Sequence, residues 1–201
     1  NGGSPEALTF NDAIIQTNPS ISKDSKKLTF FARTTSGAKA FTLDLTDKGA
    51  WPKQIFPGEG EELFPSWSSK NALAFSRKGD IWVKDKGEAV PRRVINATYG
   101  GGNSNHVWSP EGDHIAFTNS RSGFSQVGVV NIKTGDVISI TNNPAEHSQV
   151  SWSPDGRWLT YVESDSVGMS DHIVISRSDG SGQKRVITNG KGKRFSPIFS
   201  P

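Results

Sequence analysis

The 201-residue chain sets 23 Lys and Arg against 20 Asp and Glu, a net charge of +3, too even a balance to argue for a nucleic-acid partner. It has no cysteine, which excludes disulfides and thiolate chemistry, and no apolar run near the ~18 residues of a membrane-spanning helix. With 21 Gly and 11 Pro beside 11 Phe and 6 Trp, the composition predicts many short strands joined by turns.

Taken in chain order, residues 1–10, NGGSPEALTF, repeat the Gly corner and Thr ending of SDGSGQKRVIT at 178–188, so 4–10 read as a fourth strand of a partial unit. A first full unit follows at 17–57. It holds the hydrophobic anchor Ile21, the triplet Leu28-Thr29-Phe30, a β-rich run AFTLDL at 40–45 and the cadence KQIF at 53–56. The second, 63–96, repeats this as Trp67, Leu73-Ala74-Phe75, DIWVKD at 80–85 and RRVI at 92–95. The third, 103–142, has Trp108, Ile115-Ala116-Phe117, QVGVVNI at 126–132 and VISIT at 137–141. The fourth, 148–189, has Trp152, Leu159-Thr160-Tyr161, HIVISRS at 172–178 and KRVIT at 184–188. Residues 195–201, with Phe199, read as the first strand of a further unit. The anchors lie 46, 41, 44 and 47 residues apart, and no helical period of any length interrupts them.

The corner after each anchor has a physical logic. In Ser153-Pro154-Asp155-Gly156, Pro fixes φ, Ser and Asp can bond nearby backbone N–H groups, and Gly accepts a positive φ. Ser68-Ser69-Lys70-Asn71 lacks both Pro and Gly, which assigns the left-handed position to Asn71. Four-stranded units that are apolar on both faces cannot stand alone. The expected fold is all-β: a β-propeller of four complete blades plus partial strands at both ends. The small central residues Thr29, Ala74, Ala116 and Thr160 would let neighbouring blades approach, and the large flanking ones would fill the gap. The expected context is a segment of a larger propeller, with two copies completing one another through open blade ends as the alternative.

The phrase Trp-Ser-Pro-Asp-Gly, followed by Leu-Thr-Tyr-Val and later by Asp-Gly and Val-Ile-Thr, resembles the WD40-like PD40 repeat. The likeness runs along the whole chain and is closest at 108–123 and 152–164. Such repeats build the propellers of TolB-like proteins and of prolyl-oligopeptidase-type peptidases. The resemblance implies a non-enzymatic module for a protein or peptide partner in a bacterial periplasm or secreted setting. The alternative is the substrate-gating propeller of a peptidase.

Loops between blades share one mouth of a propeller, joined there by the loops between second and third strands. One such loop is acidic (Glu59, Glu61, Glu62) and another basic (Lys193, Arg194). TYGGGNSN at 98–105 offers Tyr99 and Asn105, and Arg121 occupies a second-to-third strand loop matching that of Arg33. With His106 and His147, which shortly precede anchor tryptophans, these are the partner-binding candidates. No cofactor, metal or catalytic residue is expected. His106 and His147 come nearest to a ligand pair, of the kind that the resemblance to metal-dependent oligosaccharide lyases implies. Gly168-Met169-Ser170-Asp171-His172 lacks the final Gly of a nucleophile elbow and falls in a loop between strands.

Overall fold

A computed structural model describes residues 15–35, 37–58, 60–96, 104–120, 123–165, 170–188 and 192–200. The expected strand at 4–10 lies outside them. Among the described residues there is no helix. Sixteen strands form four four-stranded antiparallel sheets, each a simple meander. The first blade comprises β1 (Ile15–Ile21), β2 (Lys27–Thr34), β3 (Gly37–Asp44) and β4 (Lys53–Gln54). The second comprises β5 (Leu63–Trp67), β6 (Leu73–Arg77), β7 (Asp80–Lys84) and β8 (Arg92–Ile95). The third comprises β9 (Ser104–Trp108), β10 (His114–Asn119), β11 (Gln126–Asn131) and β12 (Val137–Ser139). The fourth comprises β13 (Glu146–Trp152), β14 (Trp158–Ser164), β15 (Asp171–Arg177) and β16 (Lys184–Val186). The first strands β1, β5, β9 and β13 neighbour one another in that order, as the inner strands of successive propeller blades do.

The four corners between first and second strands share one construction. The corner serines Ser22, Ser68, Ser109 and Ser153 are buried. Their hydroxyls accept the N–H of Lys27 (2.9 Å), Ala72 (3.0 Å), His114 (3.1 Å) and Trp158 (2.9 Å). The left-handed position is held by Ser25 (φ 56°), Asn71 (φ 58°), Gly112 (φ 66°) and Gly156 (φ 68°), so Asn71 does what its sequence assigned. In the last corner the Ser153 hydroxyl, reinforced by Arg157, holds the Asp155 carboxyl well below the usual range.

Packing between blades uses the two faces of the triplet differently. Ile115 and Phe117 join Ala74, Ile81, Val83 and Ile95 of the second blade, whereas Ala116 joins Leu159, Tyr161 and Val174 of the fourth. Large residues thus reach back to the preceding blade, and the small one receives the blade that follows. The anchor tryptophans add a bond to this. Trp108 Nε1 donates to the carbonyl of Ser66 (3.1 Å) and Trp152 Nε1 to that of Val107 (3.0 Å), in each case the residue before the preceding anchor. At the first junction Thr29 Oγ1 occupies the corresponding Ser20 carbonyl (3.2 Å), and the Trp67 indole N–H has no partner.

Gly128 lies across the ladder from Phe117, whose ring would sit 2.9 Å from an added Cβ. Gly128→Ala is expected to displace that ring from the junction of the second and third blades. It should cost about 1–3 kcal/mol in urea unfolding, whereas Gly49→Ala, whose Cβ would meet nothing nearer than Asp47 Oδ1 at 3.5 Å, should stay within about 0.5 kcal/mol.

Residues 195–200, expected as a first strand, form no ladder. A first strand pairs with the second strand of its own blade, and none follows among the described residues. Ser196 nevertheless has φ 48°, the backbone signature of a first strand described below.

Candidate functional site

Each inner strand carries a bulge. The ladder register jumps between Thr17 and Ser20, Leu63 and Ser66, Ser104 and Val107, and Ser148 and Ser151. Three residues before the anchor the backbone turns left-handed, at Asn18 (φ 52°), Phe64 (φ 55°), Gln149 (φ 55°) and Ser196 (φ 48°). A bulge re-aims side chains and frees the next residue from ladder duty. Proline, which has no N–H to give, therefore fits there, and Pro19, Pro65 and Pro197 take that place. These positions converge on one cavity of about 490 Å³, bordered by Asn18, Phe64, His106, Gln149, Ser196 and Ile198 among others. Inner strands are the ones that border the central channel of a propeller, so the cavity lies on the channel side of these blades.

His106 stands where the other units have Pro19, Pro65, Val150 and Pro197. It is 6% exposed. Ser76 Oγ lies 3.4 Å from its Nδ1, and its Nε2 has no partner. Burial pushes the imidazole down to about 4, against the carbonyls of Ala74 and Phe64, which favour the charged ring.

A second repeated device sits two residues further back, five before the anchors Trp67, Trp152 and Phe199, at the mouth where blade-to-blade loops lie. There the incoming chain clasps the third strand of the preceding blade. Glu62 N donates to Ala38 O (3.0 Å) and His147 N to Ser125 O (2.9 Å). Arg194 donates from its guanidinium to Asp171 O (3.1 Å) and from its backbone N to the Asp171 carboxylate (3.2 Å). Gly37 (φ 102°) belongs to the first clasp: a Cβ there would lie 3.2 Å from Glu61 Oε1.

The side chains at this level are committed inward. Glu62 is 1% exposed and pairs with Arg77 (3.1 Å), whose guanidinium lies over the rings of Phe56, Phe75 and Trp82 at 5.1–5.4 Å. Glu62 is therefore no rim group, which corrects the expectation that it offers itself to a partner: Arg77, directly opposite on β6, draws it inside. Lys39, also buried, donates to the carbonyls of Gly58 (2.9 Å) and Gly60. His147 places Nδ1 against the Ser125 carbonyl (2.9 Å) and Nε2 against Glu163 (3.0 Å). That His147 contact, with Lys184 at 3.6 Å, holds Glu163 down at about 2. Burial and the Glu163 charge together push Tyr161 up to about 12. The two histidines occupy separate surroundings, and among the described residues no group of three or more His, Cys, Asp or Glu could hold a metal.

Of the remaining candidates, Glu61 is exposed and accepts Ala38 N–H (3.3 Å). Lys193 pairs with Asp171 (3.3 Å). Glu59, Tyr99, Arg121 and the side chain of Asn105 lie outside the described residues. Ser170 immediately precedes β15 and makes an isolated parallel bridge with Gly192, rather than standing on a strand-to-helix elbow. Asn18, Phe64 and Gln149 escaped the sequence reading, although the proline after Asn18 and Phe64 marks the bulge.

A model of the PD40 family, the TolB beta propeller domain, matches residues 1–201. The Tol-Pal system protein TolB of Francisella tularensis subsp. tularensis is 32% identical over 197 residues, 93% of this chain and 44% of that one. The uncharacterized peptidase YuxL of Bacillus subtilis is 28% identical over 166 residues, 59% of this chain and 25% of that one. Among solved structures, TolB from Acinetobacter baumannii matches 94% of this chain and 46% of its own, with TM-score 0.72 at 23% identity. A puromycin hydrolase mutant complexed with PGG matches 94% of this chain and 31% of its own, with TM-score 0.75 at 15% identity. The chain spans less than half the length of each of these proteins.

Proposed function

Because the chain belongs to the family of TolB β-propeller domains, we propose that it is a non-enzymatic binding module of a bacterial periplasm, holding a protein or peptide partner at its central channel. The observation that carries this is the repeated bulge. A left-handed backbone is costly for any residue with a side chain, and most of all for a bulky one such as Phe64. Yet the bulge recurs at four equivalent positions occupied by four different residues, Asn18, Phe64, Gln149 and Ser196. A shared backbone with varied side chains around one cavity suits recognition of an asymmetric ligand, such as an extended peptide. Among the described residues of the mouth, Glu62, His147, Lys193 and Arg194 are engaged within the chain, which favours the varied side chains around the cavity as the recognising surface.

The test is selection of peptides from a random display library on the immobilised chain. A consensus peptide is expected, and the Gln149→Ala and Ile198→Ala variants should each weaken it by about tenfold, as centrally placed contacts do. Selection without a consensus, or a consensus peptide indifferent to both substitutions, contradicts the reading.

The likeness to YuxL supports a second reading, in which the chain belongs to the gating propeller of a prolyl-oligopeptidase-type peptidase. A nucleophile elbow with its His and Asp in the α/β region of the parent sequence would decide for it.

A further inference from the structure

At the end opposite the clasps, the connections β1–β2, β3–β4, β5–β6 and β7–β8 turn side by side. Between the first and second blades they enclose a cavity of about 460 Å³, bordered by Lys27, Lys53, Lys84 and Lys86, with Trp67 and Ile55 in its wall. The carboxylates of this cavity are engaged. Asp24 accepts the Ser22 hydroxyl (2.7 Å) and Lys26 N–H (3.2 Å), and Asp85 pairs with Arg92 (2.8 Å). Lys84 donates to the Glu88 carbonyl (2.6 Å) and Lys27 stands across the ladder from Asp44, with whose charge its own interacts favourably, while Lys53 and Lys86 make no ion pair with any described residue. Two buried polar atoms of the wall, Trp67 Nε1 and Thr42 Oγ1, have no partner.

Around the cavity the same corners carry Lys23, Lys26, Lys48 and Lys70, all exposed. Two large apolar side chains also stand there, on equivalent connections between third and fourth strands: Trp51, 69% exposed, and Val90, 76% exposed. Each precedes a proline, Pro52 or Pro91, which stiffens its tip. The third and fourth blades differ. Their corners set Glu111, Asp113, Asp136, Asp155 and Asp179 against Lys133 and the arginines Arg157 and Arg177, which are paired with Asp155 (2.7 Å) and Asp179 (3.2 Å), whereas the first two blades set eight lysines against Asp24, Asp44, Asp47, Asp85 and Glu88.

We infer that this end of the first two blades is a peripheral docking surface for an anionic lipid bilayer. The lysine-lined cavity receives a phosphate headgroup, and Trp51 and Val90 enter the interfacial layer. A soluble polyanion would use the lysines and leave the apolar tips in water. An apolar partner would leave the lysines unused. A bilayer presents negative charge and an apolar layer along a single normal, which matches both. No strand crosses the membrane in this arrangement, and the inference does not depend on what occupies the channel.

Co-sedimentation of the whole chain with vesicles of equimolar phosphatidylglycerol and phosphatidylcholine tests it. The chain is expected to pellet with these vesicles in low salt, to be released by high salt, and to remain in solution with phosphatidylcholine alone. Trp51→Ala and Lys53→Gln/Lys86→Gln, exposed positions whose folding is checked by circular dichroism, should each lower partitioning by about fivefold or more. Failure to pellet overturns the inference, as does pelleting unchanged in both variants. Equally strong binding to soluble polyglutamate that depends on the lysines but not on Trp51 reassigns the surface to an acidic polymer and also overturns it.

Discussion

Arg77→Met is expected to destabilise the chain by about 3 kcal/mol, a large share of a domain's total stability. The reason is what it leaves behind. Glu62 is 1% exposed and Arg77, at 3.1 Å, is its only charged partner among the described residues. The arginine remains partly exposed and lies over Phe56, Phe75 and Trp82, so methionine keeps much of the apolar packing and removes the charge together with its attraction to those rings. A carboxylate then stays buried without compensation, which costs far more than the net worth of the pair. Removing both charges, as Glu62→Gln/Arg77→Met, should recover at least half of the loss. The measurement is the urea midpoint at neutral pH with the m-value unchanged. A single variant within about 0.5 kcal/mol of the parent would show that the pair is solvated.

Acid should destabilise the chain in two separable steps, the first set by His106. In the unfolded chain this imidazole takes up its proton near 6.5, but in the folded channel wall burial holds it down at about 4. Above pH 6.5 both states are neutral there and the residue contributes nothing to pH dependence. As pH falls below 6.5 the unfolded state gains a proton that the folded state refuses. Stability drops by about 2 kcal/mol by pH 5 and about 3 kcal/mol by pH 4, where the loss levels off. Together with the aspartates that their partners hold below the usual range, Asp155 and Asp171 among them, Glu163 acts lower down. Its folded value of about 2 lies below that of an unfolded glutamate, so the stability it contributes is complete above pH 4.5 and disappears as pH falls toward 2. His106→Val, which adopts the residue the fourth blade has at this position, should abolish the first step and leave the second. Equal slopes for parent and variant between pH 6.5 and 4 would show that His106 protonates freely in the folded state. Because folded His106 stays neutral down to about pH 4, binding of a channel peptide should not change through this residue in mild acid.

The repeat was legible because its signals are local. Ser at the corner, a residue tolerant of positive φ three places later, and the large–small–aromatic triplet all act within a dozen residues. Even Asn71 disclosed its φ of 58°. The clasps and the buried His106 were not legible, because their partners lie in other blades or across a ladder: Glu62 with Ala38, His147 with Ser125, His106 with Ser76. A glutamate in a Gly-rich acidic loop reads as solvated until Arg77 is seen opposite it. Two periodic hints were present all the same. Glu62, His147 and Arg194 each stand five residues before an anchor, and Pro19, Pro65 and Pro197 each stand two before. Polar residues recurring at a fixed place in a repeat point to a shared interblade bond. Prolines recurring in a strand point to a bulge. Only the three-dimensional arrangement shows that the first kind faces a neighbouring blade and the second the channel.

Mutual support between blades is the premise of every assignment above, since clasps, tryptophan hooks and channel wall all join one blade to the next. Native-state hydrogen exchange of the parent and of Tyr161→Ala tests it most directly. Tyr161 belongs to the fourth blade and packs on the third. If the blades stabilise one another, the slowest amides at Ile81, Ile115 and Val174 should all lose protection by a similar amount, about 3 kcal/mol. Loss confined to Val174 and its own sheet, with Ile81 unchanged, would mean that the sheets fold independently, and would contradict the account.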